Sequence, residues 1–179
     1  MKKILFPLFL VVFALSSCGD LSKLTQFDMP LSQSVTINKD MVVANMPIDS
    51  IMTPAIETKS AEFFSTNNIK TDFIEKISLK EMKLIITSPT AGNFNFLKAI
   101  DISIVADSLA AIKIASLTDV PANASTSLQL TVSSDDLKPY LLKNSIKLKI
   151  KISADETIPA DYTIDVKPTF LIDAKVLGL

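Results

Sequence analysis

Histidine, arginine and tryptophan are absent from this sequence of 179 residues, which contains one cysteine and three glycines. Without histidine, the sequence lacks the usual general base near neutral pH and the commonest metal ligand. Without arginine, it lacks the planar group that binds carboxylates and phosphates through two parallel hydrogen bonds. The missing arginine is equally consistent with an AT-rich genome. The absence of tryptophan, together with only two tyrosines, disfavours a dedicated glycan-binding platform.

Serine and lysine remain as candidate catalytic residues, since a Ser-Lys pair needs no histidine. The sequence has no Gly-x-Ser-x-Gly motif and no glycine-rich phosphate loop. Ser134, Ser145 and Ser153 fall where helix caps and strand ends are expected. We therefore predict that the chain is not an enzyme and carries no cofactor, with a Ser-Lys hydrolase as the enzymatic alternative.

The first 18 residues follow the order of a secretory signal. Lys2 and Lys3 provide the positive start, and residues 4–15 are apolar. This run of 12 residues is shorter than the roughly 20 that a membrane-spanning helix needs, and Pro7 interrupts it. The run ends with small residues and then the single cysteine, a pattern that resembles the lipobox of bacterial lipoproteins. Its members are Leu15, Ser16, Ser17 and Cys18.

The lipobox resemblance implies that a signal peptide of residues 1–17 is removed and that the Cys18 sulfur takes a diacylglyceryl group, with the freed amine usually acylated as well. The lipid on Cys18 would attach the protein to a membrane of the bacterial cell envelope. Gly19 follows the cysteine, and not the aspartate that in enteric bacteria tends to hold a lipoprotein in the inner membrane. The outer membrane, facing the periplasm, is therefore the favoured location, and the cell surface is the alternative.

Removal of residues 1–17 would leave 162 residues with 16 lysines and 19 acidic residues, a formal charge of 16 − 19 = −3. This length suits one domain. The weak acidic balance disfavours nucleic acid, which requires a basic patch. Residues 18–30 show no sustained period and are predicted to form a lipidated tether, and residues 31–179 are predicted to form a single domain.

Beyond residue 31 the dominant hydrophobic period is two, which is typical of strands with one buried and one solvated face. In residues 145–153, four aliphatic residues alternate with Lys147, Lys149 and Lys151. Pro168 interrupts the last run and suggests an edge or a bend there. The alternation predicts a mainly β protein, an antiparallel sandwich of about eight strands. The predicted strands are residues 34–38, 50–58, 80–87, 99–105, 112–114, 127–133, 145–153 and 162–176.

The connections between strands are predicted to be long, because the few glycines exclude two-residue hairpins of the Asn-Gly type, and this favours Greek-key crossings. Two short helices are expected. One begins with Ser134 as its cap and runs to Leu141, with Asp135 and Asp136 in its first turn. The other begins at residues 71–75.

Three further groups of residues have both a structural and a functional interpretation. Asp135 and Asp136 could hold calcium, although a helix start explains them more simply. The lysine row at 147, 149 and 151 could bind acidic headgroups, or it could be a solvated face that discourages edge pairing. Phe94 and Phe96 could present their rings to a ligand, although core anchors are favoured. No metal site is predicted, unless the scattered Asp101, Asp107 and Asp119 assemble one after folding.

These patterns together favour a lipid-anchored, non-enzymatic protein of the cell envelope that binds a protein partner or serves as an accessory module. A carrier that encloses an apolar ligand, such as a lipid, is the main alternative. The 48% hydrophobic content is compatible with a carrier, although the signal peptide contributes part of it.

Overall fold

The computed structural model describes residues 25–175, and the predicted signal peptide, Cys18 and Val176 lie outside them. The described residues form eleven strands and two short helices. The strands are β1 (Gln26–Pro30), β2 (Gln33–Ile37), β3 (Pro47–Met52), β4 (Ile56–Glu57), β5 (Ile74–Ser88), β6 (Leu97–Val105), β7 (Ile112–Thr118), β8 (Ser127–Gln129), β9 (Thr131–Val132), β10 (Ser145–Ala154) and β11 (Tyr162–Ala174); the helices are α1 (Ser60–Thr66) and α2 (Lys138–Leu141).

The strands form two antiparallel sheets packed face to face, and this confirms the predicted β-sandwich. In the first sheet the order is β1-β11-β5-β8, with β2 beside β11 as well. In the second sheet the order is β3-β10-β6-β7-β9, with β4 beside β10. In these orders only β6 and β7 are both consecutive in sequence and neighbours in a sheet. β1 and β2 lie end to end along β11, and β3 and β4 lie end to end along β10. The remaining connections cross between the sheets or skip strands, as the scarcity of glycine predicts.

One core fills the space between the sheets, because each long strand turns alternate side chains inward. On β10 the inward residues are Ile146, Leu148, Ile150 and Ile152, all at most 3% exposed. On β11, Val166, Phe170 and Ile172 are fully buried. Each such aliphatic or aromatic side chain contributes about 1.5–3 kcal/mol when it is fully buried.

Strand β5 is twice as long as predicted because bulges break its period. Glu75 and Lys80 are extra residues opposite β11, where the pairing shifts between Asp173 and Ala174 and between Thr169 and Phe170. Each bulge places two exposed residues between buried ones, so residues 74–79 lose the strict alternation of a strand. Both bulged side chains form surface ion pairs, Glu75 with Lys175 and Lys80 with Asp28.

The predicted strand at residues 127–133 is divided between the two sheets. β8 pairs with β5 in the first sheet, and β9 pairs with β7 in the second. Leu130 lies at the crossing, where its amide donates to the Met82 carbonyl and its side chain is buried. The predicted strand at residues 50–58 is also divided, by the segment that contains Pro54. These two divisions and β1 account for eleven strands where about eight were predicted.

The tether prediction was wrong over its last five residues, since Gln26–Pro30 form β1 and pair with β11. Of the edge or bend predicted at Pro168, the edge is wrong, because β11 is an interior strand, and a register shift follows between Thr169 and Phe170. The Pro168 carbonyl accepts from the Leu31 amide, in the gap between β1 and β2. Amide and carbonyl of one strand residue point to the same side. An N–H group at position 168 would therefore point into this gap, where no strand residue is paired with it. Proline, which has no N–H group, leaves no hydrogen bond unmade there.

Both helix predictions need correction. Ser134 caps no helix: α2 begins at Lys138 after Leu137, and it has only four residues. Residues 71–73 form a single 3-10 turn that leads directly into β5. The helix α1 was not predicted. It buries Phe64 against the core, and its preceding residue, Lys59, has a positive φ of 49°.

The strands end at two opposite ends of the sandwich. The near end, where the described chain begins, consists of Thr25, residues 58–73, residues 106–111, residues 133–144 and Lys175. The far end consists of the loops at residues 38–46, 89–96, 119–126 and 155–161. β5, with 15 residues, spans the distance between the ends, which is roughly 45 Å.

Candidate functional site

The three serines considered for catalysis lie apart from one another. Ser134 is exposed before α2, and its backbone carbonyl accepts from the Lys76 ammonium at 2.7 Å. Ser153 pairs with Ala99 and Pro47 inside the second sheet. Ser145 begins β10 and lines an open cleft of about 520 Å³ at the near end. The structure therefore does not bring the three together.

The cleft beside Ser145 is bounded by the β4 segment, the start of α1 and the residue before β10. Its lining includes Glu57, Lys59, Ser60 and Asn144. Thr58, 2% exposed, forms its base: its hydroxyl donates to the Lys143 carbonyl at 2.7 Å and lies 3.3 Å from the Ser60 hydroxyl. The Thr58 hydroxyl therefore joins the chain before α1 to the chain before β10. These contacts give the Thr58 hydroxyl a structural role at the base of the cleft.

A smaller cleft of about 190 Å³ adjoins the point where the described chain begins. It is lined by Thr25, Phe27, the turn at residues 67–70, Phe73 and Lys175. The Thr25 carbonyl accepts from the Ala174 amide at 3.1 Å, and the Lys175 amide donates to the Phe73 carbonyl at 2.7 Å. These bonds fix both described termini to the near end of the sandwich. The Lys70 ammonium lies 5.8 Å from the centre of the Phe73 ring, a cation–π contact at the surface.

The lysine row lies on the outer face of an interior strand. β10 has β3 and β4 on one side and β6 on the other, so the row cannot protect a sheet edge as one interpretation proposed. Lys149 lies opposite Ser103 and Met52, and Lys151 lies opposite Asp101. Asp101 forms an ion pair with Lys113 at 3.4 Å. The solvated face was the favoured interpretation of this row, and acidic headgroup binding stays the untested alternative.

The acidic residues considered for calcium are used elsewhere or stand apart. The Asp136 Oδ1 atom accepts from the amides of Ile77 and Lys138, at 3.2 and 3.0 Å. Within residues 25–175, no group of three or more Asp, Glu, His or Cys side chains has an arrangement that could hold a metal ion. Asp107 and Asp119 lie at opposite ends of the sandwich, in the loop after β6 and the loop after β7.

Phe94 and Phe96 are core anchors, as was favoured. They are 1% and 4% exposed, and the Phe96 ring packs edge-on against Tyr162 with 5.5 Å between ring centres. Both rings close the far end of the core and leave no face for a ligand.

Exposed apolar side chains are concentrated in one far-end loop that sequence reasoning missed. Met41, Val43 and Met46 are 41%, 46% and 58% exposed. Among the described residues, the other large exposed apolar side chains are Met52 on the edge strand β3 and Leu142 at the near end. The only sequence signal was the apolar run at residues 41–44, followed by Met46, between two predicted strands and without a strand or helix period.

No helix of the described residues is both long and apolar enough to cross a membrane. No family model matches the sequence, and no curated protein matches it. Solved structures with some likeness include turnip yellow mosaic virus, at 16% identity and a TM-score of 0.31 over 86% of this chain and 85% of that one. Another is Cocksfoot mottle virus, at 8% identity and a TM-score of 0.28 over 84% of this chain and 96% of that one. Likeness at TM-scores this low indicates neither a shared fold nor a shared function.

Proposed function

We propose that this chain is a lipid-anchored protein of the bacterial cell envelope whose β-sandwich binds a protein partner or serves as an accessory module, without catalysing a reaction. The observation that carries the proposal is the ordered signal in the sequence: two lysines, an apolar run, small residues and then Cys18. The outer membrane, facing the periplasm, is the favoured location.

An anchor at Cys18 would place the near end toward the membrane. Seven residue steps separate Cys18 from Thr25, which is held against Ala174, and a fully extended chain covers about 25 Å in that number of steps. A lipid on Cys18 would therefore keep the near end close to the bilayer. The far end, roughly 45 Å away along β5, would on average lie farther out.

The filled interior and the bonding within the cleft favour protein binding over the two alternatives, a carrier of an apolar ligand and a Ser-Lys hydrolase. A carrier for an apolar ligand needs space between the sheets, but large buried side chains, including Phe94, Phe170 and Met82, occupy that interior. A Ser-Lys hydrolase needs a serine activated by a lysine. The cleft beside Ser145 includes Lys59, but the Thr58 hydroxyl at its base donates to the Lys143 carbonyl and lies 3.3 Å from the Ser60 hydroxyl.

Metabolic labelling with a palmitate analogue tests the anchor. The wild-type chain is expected to take up label, and Cys18→Ala is expected to lose it, because only a thiolate accepts the diacylglyceryl group. A matched control combines Cys18→Ala with Ser22→Cys, which keeps one thiol but moves it away from the lipobox. This control should also stay unlabelled. Equal labelling of the wild type and Cys18→Ala would refute the proposal.

A further inference from the structure

The far-end loop at residues 38–46 exposes apolar side chains although it is firmly held. Val42, between Met41 and Val43, is 1% exposed and packs into the core. The Lys39 amide donates to the Asp161 carboxylate at 2.8 Å, and the Asn45 amide donates to the Ala154 carbonyl at 2.8 Å. The three exposed side chains are therefore displayed on an anchored loop and are not the by-product of a free segment.

Four acidic side chains, together called the acidic rim, lie on this loop and on the loop at residues 155–161. The Lys39 amide bonds to Asp161 in that second loop, and the Asn45 amide bonds to Ala154 directly before it. The two loops carry four exposed carboxylates and one exposed lysine. The formal charge of these two loops is 1 − 4 = −3. The carboxylates are those of Asp40, Asp155, Glu156 and Asp161.

We propose that Met41, Val43 and Met46 form a docking surface for a protein partner that presents an apolar centre with a basic rim. Methionine is flexible and polarizable, so it adapts to the shape of an apolar partner surface. The acidic rim would steer a basic partner to the loop and set its orientation. This inference deepens the proposed function, on which it rests, by assigning the partner surface and its chemistry.

The charge of the rim favours a protein over a lipid surface. Apolar loops can also insert into bilayers, but bacterial or synthetic membranes that contain anionic lipids repel a surface with an excess of three negative charges. The tether adds to this preference, since it holds the near end, and not this loop, closest to the bilayer. Membrane contact is thus the competing outcome of the test.

Site-specific photocrosslinking in membranes of the organism that expresses the chain tests the docking surface. A photoreactive phenylalanine analogue replaces Val43 in the full chain, and the matched control carries it in place of Leu142, which is 39% exposed at the near end. We expect a protein adduct from position 43 and none of the same mass from position 142. Raising the salt from about 0.05 M to about 0.5 M should lower the yield about fivefold or more, because screening weakens rim charges.

A second variant tests the rim directly. Asp40→Asn combined with Glu156→Gln, in the chain with the crosslinker at position 43, should lower the same adduct about fivefold, whereas Glu62→Gln with Asp72→Asn at the near end should leave it unchanged. Any of four results would overturn the inference. They are adducts with lipid only at position 43, equal adducts at positions 43 and 142, no adduct at all, or an adduct yield that does not change with salt or with the rim substitutions.

Palmitate labelling of the same samples separates this inference from the proposed anchor. An unlabelled chain that still forms the charge-dependent adduct would refute the anchor and keep the docking surface. A labelled chain without the adduct would keep the anchor and refute the docking surface.

Discussion

The two ends of the sandwich close the same core in different ways. At the near end, Leu137 and Leu141 are fully buried, and the Tyr140 hydroxyl donates to the Ala110 carbonyl at 2.5 Å. At the far end, Phe94 and Phe96 seal the core, but the loop beside them turns three large apolar side chains to solvent. The comparison indicates that the near end serves stability and that the far end carries surface which folding alone does not require.

Leu137→Ala should have the largest effect on this comparison. The side chain is 0% exposed, and its amide donates to the Ile77 carbonyl at 2.6 Å, so truncation leaves a cavity beneath α2. We expect a loss of about 3 kcal/mol in the free energy of unfolding, measured by urea melts of residues 19–179. The matched control is Leu142→Ala, which should stay within about 0.5 kcal/mol. Equal losses would show that α2 does not close the core.

Gly92→Ala should be the most damaging small change at the far end. A Cβ at this position would lie 2.9 Å from the Pro89 carbonyl oxygen and 2.9 Å from Ile86 Cγ2, so the loop would have to shift. We expect a loss of about 2 kcal/mol in urea melts. Thr90→Ala, at an exposed position in the same loop, is the control and should be nearly neutral. A neutral Gly92→Ala would mean that the far-end loop gives way easily.

Thr58→Val should weaken the near end by a smaller amount. It removes the hydroxyl that donates to the Lys143 carbonyl while it keeps the side-chain volume. The expected loss is about 1 kcal/mol, since an ordinary hydrogen bond contributes about that much. Thr66→Val, at the exposed end of α1, is a control for the general effect of the substitution. If both variants melted alike, the link between β4 and β10 would not depend on this hydroxyl.

Replacing Met41, Val43 or Met46 with serine, one at a time, should have the smallest effect on folding. The three side chains are about half exposed, so each substitution should stay within about 0.5 kcal/mol. Binding of a dye that reports exposed apolar surface should fall at the same time. A large loss of stability would show that these side chains belong to the core, and it would remove the contrast between the two ends.

Strict alternation allowed the sandwich to be predicted from sequence. The four buried aliphatic residues of β10 were predicted correctly, because period two survives wherever a strand pairs without interruption. Prediction from alternation failed at Glu75 and Lys80, where bulges insert extra residues. The first half of β5 was therefore not predicted. Prediction from alternation also missed the sheet change at Leu130, since side-chain alternation continues through the crossing although the pairing partner changes.

Elements with few apolar residues could not be predicted, because they are too short or too polar to show a hydrophobic period. β1 offers only Phe27 and Met29, and its position depends on pairing with β11 rather than on local pattern. α1 has seven residues and no capping side-chain bond, so neither its start nor its period is visible. The proposed docking surface of Met41, Val43 and Met46 could not be predicted either, because the exposure of these side chains is set by how Val42 and the loop at residues 155–161 pack. The structure places Ser134, Ser145 and Ser153 apart from one another, and the expectation that the chain is not an enzyme stays a prediction.

The orientation of the sandwich on the membrane tests the account most directly. Lipidation of Cys18 would leave no free thiol, so a single added cysteine can carry a fluorescent donor. Thr71→Cys labels the near end and Thr157→Cys the far end, both at exposed positions. The full lipidated chain is reconstituted in phosphatidylcholine vesicles that contain acceptor-labelled headgroups. The account predicts clearly stronger energy transfer from position 71 than from position 157, because the anchor lies within about 25 Å of the near end. Equal transfer, or stronger transfer from position 157, would contradict it.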